Sequence, residues 1–361
     1  MADEKEAENA YSKRSSRWKL IVVALIASLF VTLFIALNIG YKPISFTEIF
    51  DMFARRVLFL KPYINSSSIN LYDEKIILLI RLPRVLAGAL VGATLATAGV
   101  LYQGVFRNPM ADSFVLGASA GASVGYTLIA LYLGSSVSLF TLGYGQAVAF
   151  LFALITTFVV ISVSRVGSKI PVTTVLLAGI VANIFLSAIV TILQLKSGKN
   201  LTGVVAWLAG GGFSNIAWIH VYAVLPVCAI GISVAYFFSR DLNMLALGDD
   251  TATHLGVSTE KVRVILLVLG ALITGAVVSI SGIIGFVGLI IPHMTRLVIG
   301  PDHRILIPTS AIMGGIFLVL CDALARVATG ASELPVGVIT ALIGTPVFIL
   351  LLRRRKTSYS L

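Results

Sequence analysis

Eight long stretches of this chain contain no Asp, Glu, Lys or Arg at all: Leu20 to Tyr41, Val85 to Phe106, Ser113 to Ser164, Ile170 to Leu195, Asn200 to Ser239, Val264 to Thr295, Ile305 to Cys321 and Leu334 to Leu352. A bilayer core of about 30 Å is crossed by about 20 helical residues, and only a helix or a closed barrel satisfies its own backbone there. The windows therefore read as transmembrane helices. Charged residues make up only 12% of the 361 positions, against roughly 25% in soluble domains, which excludes a water-soluble globular fold. The 27 Lys and Arg residues lie between the windows. The net charge of +11 is thus a property of loops, and it signals membrane orientation rather than nucleic-acid binding.

Several windows exceed one span. Ser113 to Ser164 breaks at Gly134-Ser135-Ser136 and Gly143-Tyr144-Gly145, giving two helices. Asn200 to Ser239 breaks at Gly210-Gly211-Gly212, leaving a short re-entrant or interfacial helix over Leu201 to Ala209 and a full span from about Ala217. Val264 to Thr295 splits near Gly282 to Gly285 into a full helix and a short one containing Pro292. The expected fold is an all-α integral membrane protein of about ten transmembrane helices. Leu20 to Ile39 exceeds a signal-peptide core and is expected to stay as the first helix. Basic clusters at Lys13, Arg14, Arg17 and Lys19 and at Arg353 to Lys356 place both termini in the cytoplasm of a cell-membrane protein.

The expected organisation is a cytoplasmic tail over 1–19, one transmembrane domain over 20–356 and a tail over 357–361. Within it, 41–84 is external and 240–263 is the longest cytoplasmic loop. The external segment carries an amphipathic pattern, with Phe46, Ile49, Phe50, Phe53 and Val57 opposite Glu48, Asp51, Arg55 and Arg56. Ser45 and Glu48 have capping-box spacing at its start. The cytoplasmic loop reads as two short helices turning at Gly248 and Gly256. Glycines at four-residue spacing, Gly88 and Gly92, then Gly117, Gly121 and Gly125, suit close helix packing within one subunit.

Neither Gly167-Ser168-Lys169 nor Gly198-Lys199 completes a GxxxxGK[ST] loop, so no P-loop is present. Cys228 and Cys321 lie inside apolar runs and suggest neither a disulfide nor a metal site. His220, His254, His293 and His303 lack metal-ligand spacing. The membrane windows carry no ionisable relay of the kind an ion-coupled transporter uses. A neutral path requires energy from elsewhere, and a partner ATPase docking on the large cytoplasmic loop would supply it.

Arg81-Leu82-Pro83-Arg84-Val85-Leu86-Ala87-Gly88, the run Tyr102 to Asp112, Leu116-Gly117, Gly285 to His293 and Glu333 to Thr340 together resemble the FecCD family of permeases. The resemblance implies a ten-helix, inverted-repeat permease fold, paired with a second copy or a paralogue around a central pathway. It also implies two ATPase subunits inside, which use ATP and Mg while this chain binds no cofactor, and a solute-binding protein outside. The family imports iron(III) siderophores, haem, cobalamin and oxyanions such as molybdate. An iron siderophore or haem is the leading expectation, and an ion-coupled secondary transporter the alternative from another class. By position and pattern, Leu247, Gly248, Asp249, Asp250, Thr251, His254, Leu255 and Gly256 match the family's ATPase-coupling loop. Asn183, Ser187, Thr191 and Thr340 fall on the helices that border its pathway. Arg81, Arg84 and Arg326, placed by the topology at the external boundary, match arginines that pair with glutamates of the binding protein.

Overall fold

The computed structural model describes residues 2–56, 70–133, 143–167, 169–329 and 333–358. Fourteen helices occur among them: α1 (Ala2–Asn38), α2 (Phe46–Ala54), α3 (Leu71–Val105), α4 (Ala118–Leu133), α5 (Tyr144–Val163), α6 (Val172–Lys196), α7 (Leu201–Leu208), α8 (Trp218–Phe237), α9 (Ser239–Leu245), α10 (Asp249–His254), α11 (Thr259–Ser281), α12 (Val287–Ile299), α13 (His303–Val327) and α14 (Val336–Ser358). Seven of these, α1, α3, α5, α6, α8, α11 and α13, are long and apolar enough to cross a bilayer. The shorter apolar helices α4, α12 and α14 bring the total to the expected ten.

The breaks fall where left-handed backbone is needed. Gly210 (φ 84°) closes α7, Gly282 (φ 76°) closes α11, and α8 begins after Ala217. These are positions a side chain rarely tolerates, so the glycines end the helices rather than merely interrupting them. Phe286 adopts φ 70° without being glycine, a strained residue at the start of α12.

Helix α3 is central. A Cβ added at Gly92 would overlap the Gly314 carbonyl of α13, and one at Gly99 would overlap the Gly288 carbonyl of α12. On α4, a Cβ at Gly125 would come within 2.7 Å of the Val148 carbonyl of α5. The glycine spacing thus serves packing inside one chain, as expected. About 70% of the spanning windows of α11 and α13 is buried (72% and 67%), against 17% for α1 and α6, so α6 lies at the periphery.

Two expectations are corrected. The helix that carries the second span does not begin at Val85: α3 starts fourteen residues earlier, at Leu71, and its 35 residues exceed the roughly 20 that cross a bilayer core. Its charges do not end the helix: Asp73 pairs with Lys42, Glu74 with Arg56 (2.8 Å) and Arg84 with Asp322 (2.9 Å). Pro83 lacks the N–H that continues an α-helix, and the preceding turn, Ile76–Arg81, widens to π geometry in which the Leu82 N–H donates to the Ile77 carbonyl. The second correction concerns α2. Ser45 caps it and Glu48 completes the box, as the spacing indicated. Its buried face is Ile49 and Met52, packed with Leu37 and Ile77, while Phe46 and Phe50 stay exposed. Val57, the last residue of the expected stripe, lies outside the described residues.

Candidate functional site

Apart from Thr340 on α14, three places carry the residues singled out from the sequence: one end of the bundle, α6, and the α9–α10 element at the opposite end. At the first end, the three arginines are buried, each 4 to 6% exposed. Arg84 donates to Asp322 (2.9 Å) and Glu333 (2.6 Å). Arg326 pairs with Asp322 (3.2 Å) and donates to the carbonyls of Ile39 (2.8 Å) and Ala36 (3.0 Å). Arg81 donates to the carbonyls of Leu37 (2.8 Å), Asn38 (3.0 Å) and Lys42. Gly40 leaves room for that guanidinium, because a Cβ there would press on it. Arg81 and Arg326 therefore cap the carbonyls at the end of α1, and Arg84 ties α3 to α13. A surface of exposed guanidinium groups, as expected from the sequence, is not what this geometry offers. Glu333, 38% exposed at its side chain, is the accessible member of the cluster. The helical spacing of Asp322 and Arg326 indicated their ion pair, but nothing local marked Arg84, the Asp322 partner 238 residues away.

On α6, Ser187 and Thr191 are exposed, and the Thr191 hydroxyl donates to the Ser187 carbonyl (3.0 Å). Asn183 is half-buried, its amide directed at the Phe114 carbonyl (3.4 Å). Thr340 is fully buried and donates to the Gly337 carbonyl, which removes it from any pathway surface. The sequence assigned it by helix, not by face. A groove of about 680 Å³ runs instead between the end of α7, the turn after α11 and α14, lined by Leu208, Ile283, Ala341, Leu342 and Thr345. Gly337, Ala341 and Thr345, spaced by four, would have marked that face.

At the opposite end, α9 and α10 form the two short helices read from the loop, turning at Gly248 (φ 112°) and Gly256 (φ 89°). Leu247 (64%) and Leu255 (56%) are exposed apolar side chains, flanked by exposed Asp250, Thr251, Thr253 and His254. Asn243 fixes α9 to the start of α13, donating to Asp302 (2.9 Å) and accepting from the His303 N–H (2.9 Å). Burial alone would raise the Asp302 pKa, but hydrogen bonds from Arg304 and Asn243 outweigh it and hold the group at about 2. The stability it contributes is fully present above pH about 4 and is lost as pH falls through about 2. Asp302→Asn is accordingly expected to destabilise the chain at neutral pH and to match it below pH about 2, by unfolding in detergent. Arg304 also covers the ring of Trp18 at 5.7 Å, which brings the N-terminal part of α1 to this same end.

The FecCD transport family profile matches residues 24–354. The chain belongs to the FecCD transport family. A protein similar to it, the cobalamin import system permease of Halobacterium salinarum, is 44% identical over 277 residues, covering 77% of this chain and 73% of the relative. The hemin transport system permease of Yersinia pestis is 38% identical over 285 residues, 78% of this chain and 84% of the relative. A solved metal-chelate type ABC transporter, in an inward-facing conformation, aligns with 30% identity and a TM-score of 0.78 over 93% of this chain and 99% of that one. As a FecCD permease the chain is a multi-pass membrane protein of the ABC transporter class.

Proposed function

We propose that the chain is the membrane-spanning subunit of an importer for a metal chelate, an iron(III) siderophore or haem, driven by a separate ATPase. The observation that carries this reading is the α9–α10 element: a two-helix platform with Leu247 and Leu255 exposed at the end of the bundle that holds the basic loops. Two ATPase subunits dock there on the cytoplasmic side, and a second permease copy packs beside α6, where Ser187 and Thr191 face the pathway. A solute-binding protein docks at the other end, where the arginine cluster is the scaffold beneath the docking face and Glu333 its accessible charge. The 44% identity to a cobalamin permease supports cobalamin as the second cargo reading.

Proteoliposomes holding the permease, its ATPase and its binding protein test the cargo, with haemin, iron(III) citrate and cyanocobalamin as probes. Saturable, binding-protein-dependent uptake of at least one is the expected result; uptake of none overturns the reading. A Thr253→Cys variant is expected to crosslink to the ATPase in the assembled complex. Gly256→Val should lower uptake while leaving assembly intact, because nothing stands within 4 Å of its Cβ position but φ 89° disfavours a side chain by roughly 1–2 kcal/mol.

A further inference from the structure

Asp249 is the one member of the α9–α10 element whose side chain is engaged on both oxygens by the transmembrane bundle. Its Oδ1 accepts from Arg107 Nη2 (2.6 Å) and its Oδ2 from Arg263 Nη2 (2.9 Å). The two arginines belong to different parts of the fold. Arg107 stands two residues past the end of α3, and Arg263 lies in the first turns of α11, where it is only 4% exposed. Arg263 continues the chain of contacts through Nη1 to Glu260 Oε1 (2.6 Å), and Glu260 Oε2 accepts the Ile170 N–H (3.1 Å) just before α6. One carboxylate thereby connects a six-residue surface helix to α3 and α11, and through Glu260 to the base of α6.

The backbone at Arg107 adds a second observation. It holds φ 49° without being glycine, in the turn that closes α3, where the Arg107 N–H donates to the Gly104 carbonyl (3.3 Å) and the Asn108 N–H to the Gln103 carbonyl (3.2 Å). The Arg107 guanidinium is held by Asp249 (2.6 Å), so the bridge is attached directly to the closing turn of α3. Helix α3, which this unit meets, is the helix packed through backbone contact on both α12 and α13. A displacement there cannot be absorbed by side chains alone, because no side chain stands between the backbones at Gly92 and Gly99.

We infer that Asp249 is the positioning residue of coupling: it does not face the ATPase but acts as a strut that passes movement of α10 to α3 through Arg107 and to α11 through Arg263. This rests on the reading of α9–α10 as the ATPase platform. A strut requires both arms, whereas a residue that only caps α10 requires neither arginine.

The test uses the complete reconstituted complex, with haemin, iron(III) citrate and cyanocobalamin as cargo probes and the Thr253→Cys crosslink as the docking readout. In Asp249→Asn the crosslink is expected at wild-type yield, with cargo moved per ATP hydrolysed falling about tenfold or more. Asp249→Glu should recover much of that ratio. Arg107→Gln, which leaves α10 itself untouched, should uncouple in the same way. A ratio within about twofold of wild type in both Asp249→Asn and Arg107→Gln overturns the strut. Loss of the crosslink in Asp249→Asn, with Arg107→Gln unaffected, assigns Asp249 to local folding of α10 and also overturns it. Absence of the crosslink, or of any uptake, in the unmodified complex overturns the platform reading and the strut with it.

Discussion

Asp322→Ala is expected to destabilise the protein by about 3–5 kcal/mol, measured as unfolding in detergent or nanodiscs. The loss follows from what remains rather than from what is removed. Arg84 and Arg326 are both at least 94% buried and both lean on the Asp322 carboxylate, so its removal takes a carboxylate contact from each. Glu333 retains its contact with Arg84 at 2.6 Å, but nothing replaces the Asp322 contact to Arg326. Replacing the ions together by apolar residues of similar volume, as in Asp322→Leu with Arg84→Met and Arg326→Met, should recover most of the loss. An Asp322→Ala protein as stable as the parent would show that the cluster does not hold α3 to α13.

Gly92→Leu is expected to cost about 3 kcal/mol or more and to lower the yield of folded protein in the membrane. A Cβ at this position already overlaps the Gly314 carbonyl and comes within 2.8 Å of the Leu318 Cβ, so backbone rather than a flexible side chain must move. Gly203→Leu is the matched control, since nothing lies within 4 Å of its Cβ position. Equal yield and unfolding temperature for the two variants would contradict the assignment of Gly92 to helix packing.

Much of the fold was legible because the bilayer imposes a coarse rule on the sequence. Charge-free windows located the ten apolar helices, and glycines located the turns at Gly210, Gly248, Gly256 and Gly282. The same rule misplaced the start of α3, because it treats any charge as a boundary. Asp73, Arg81 and Arg84 sit on a helix since their partners come from distant segments, and pairing across 238 residues leaves no local mark. Site residues divided in the same manner. The two-helix form of α9–α10 followed from local spacing. Which face Thr340 presents, and whether Arg81, Arg84 and Arg326 point outward or into the bundle, depended on tertiary packing. The double engagement of Asp249 was hidden for the same reason, although the sequence had placed that residue in the right loop.

This FecCD permease is expected to move its cargo only through a partner ATPase acting on α9–α10. The most direct test compares uptake of haemin, iron(III) citrate and cyanocobalamin by proteoliposomes carrying the full complex with uptake by the same complex whose ATPase lacks its catalytic base. Uptake is expected to require ATP and to vanish with the inactive partner, whatever ion gradient is imposed. Undiminished uptake with the inactive ATPase, driven by a proton or sodium gradient alone, would contradict the account.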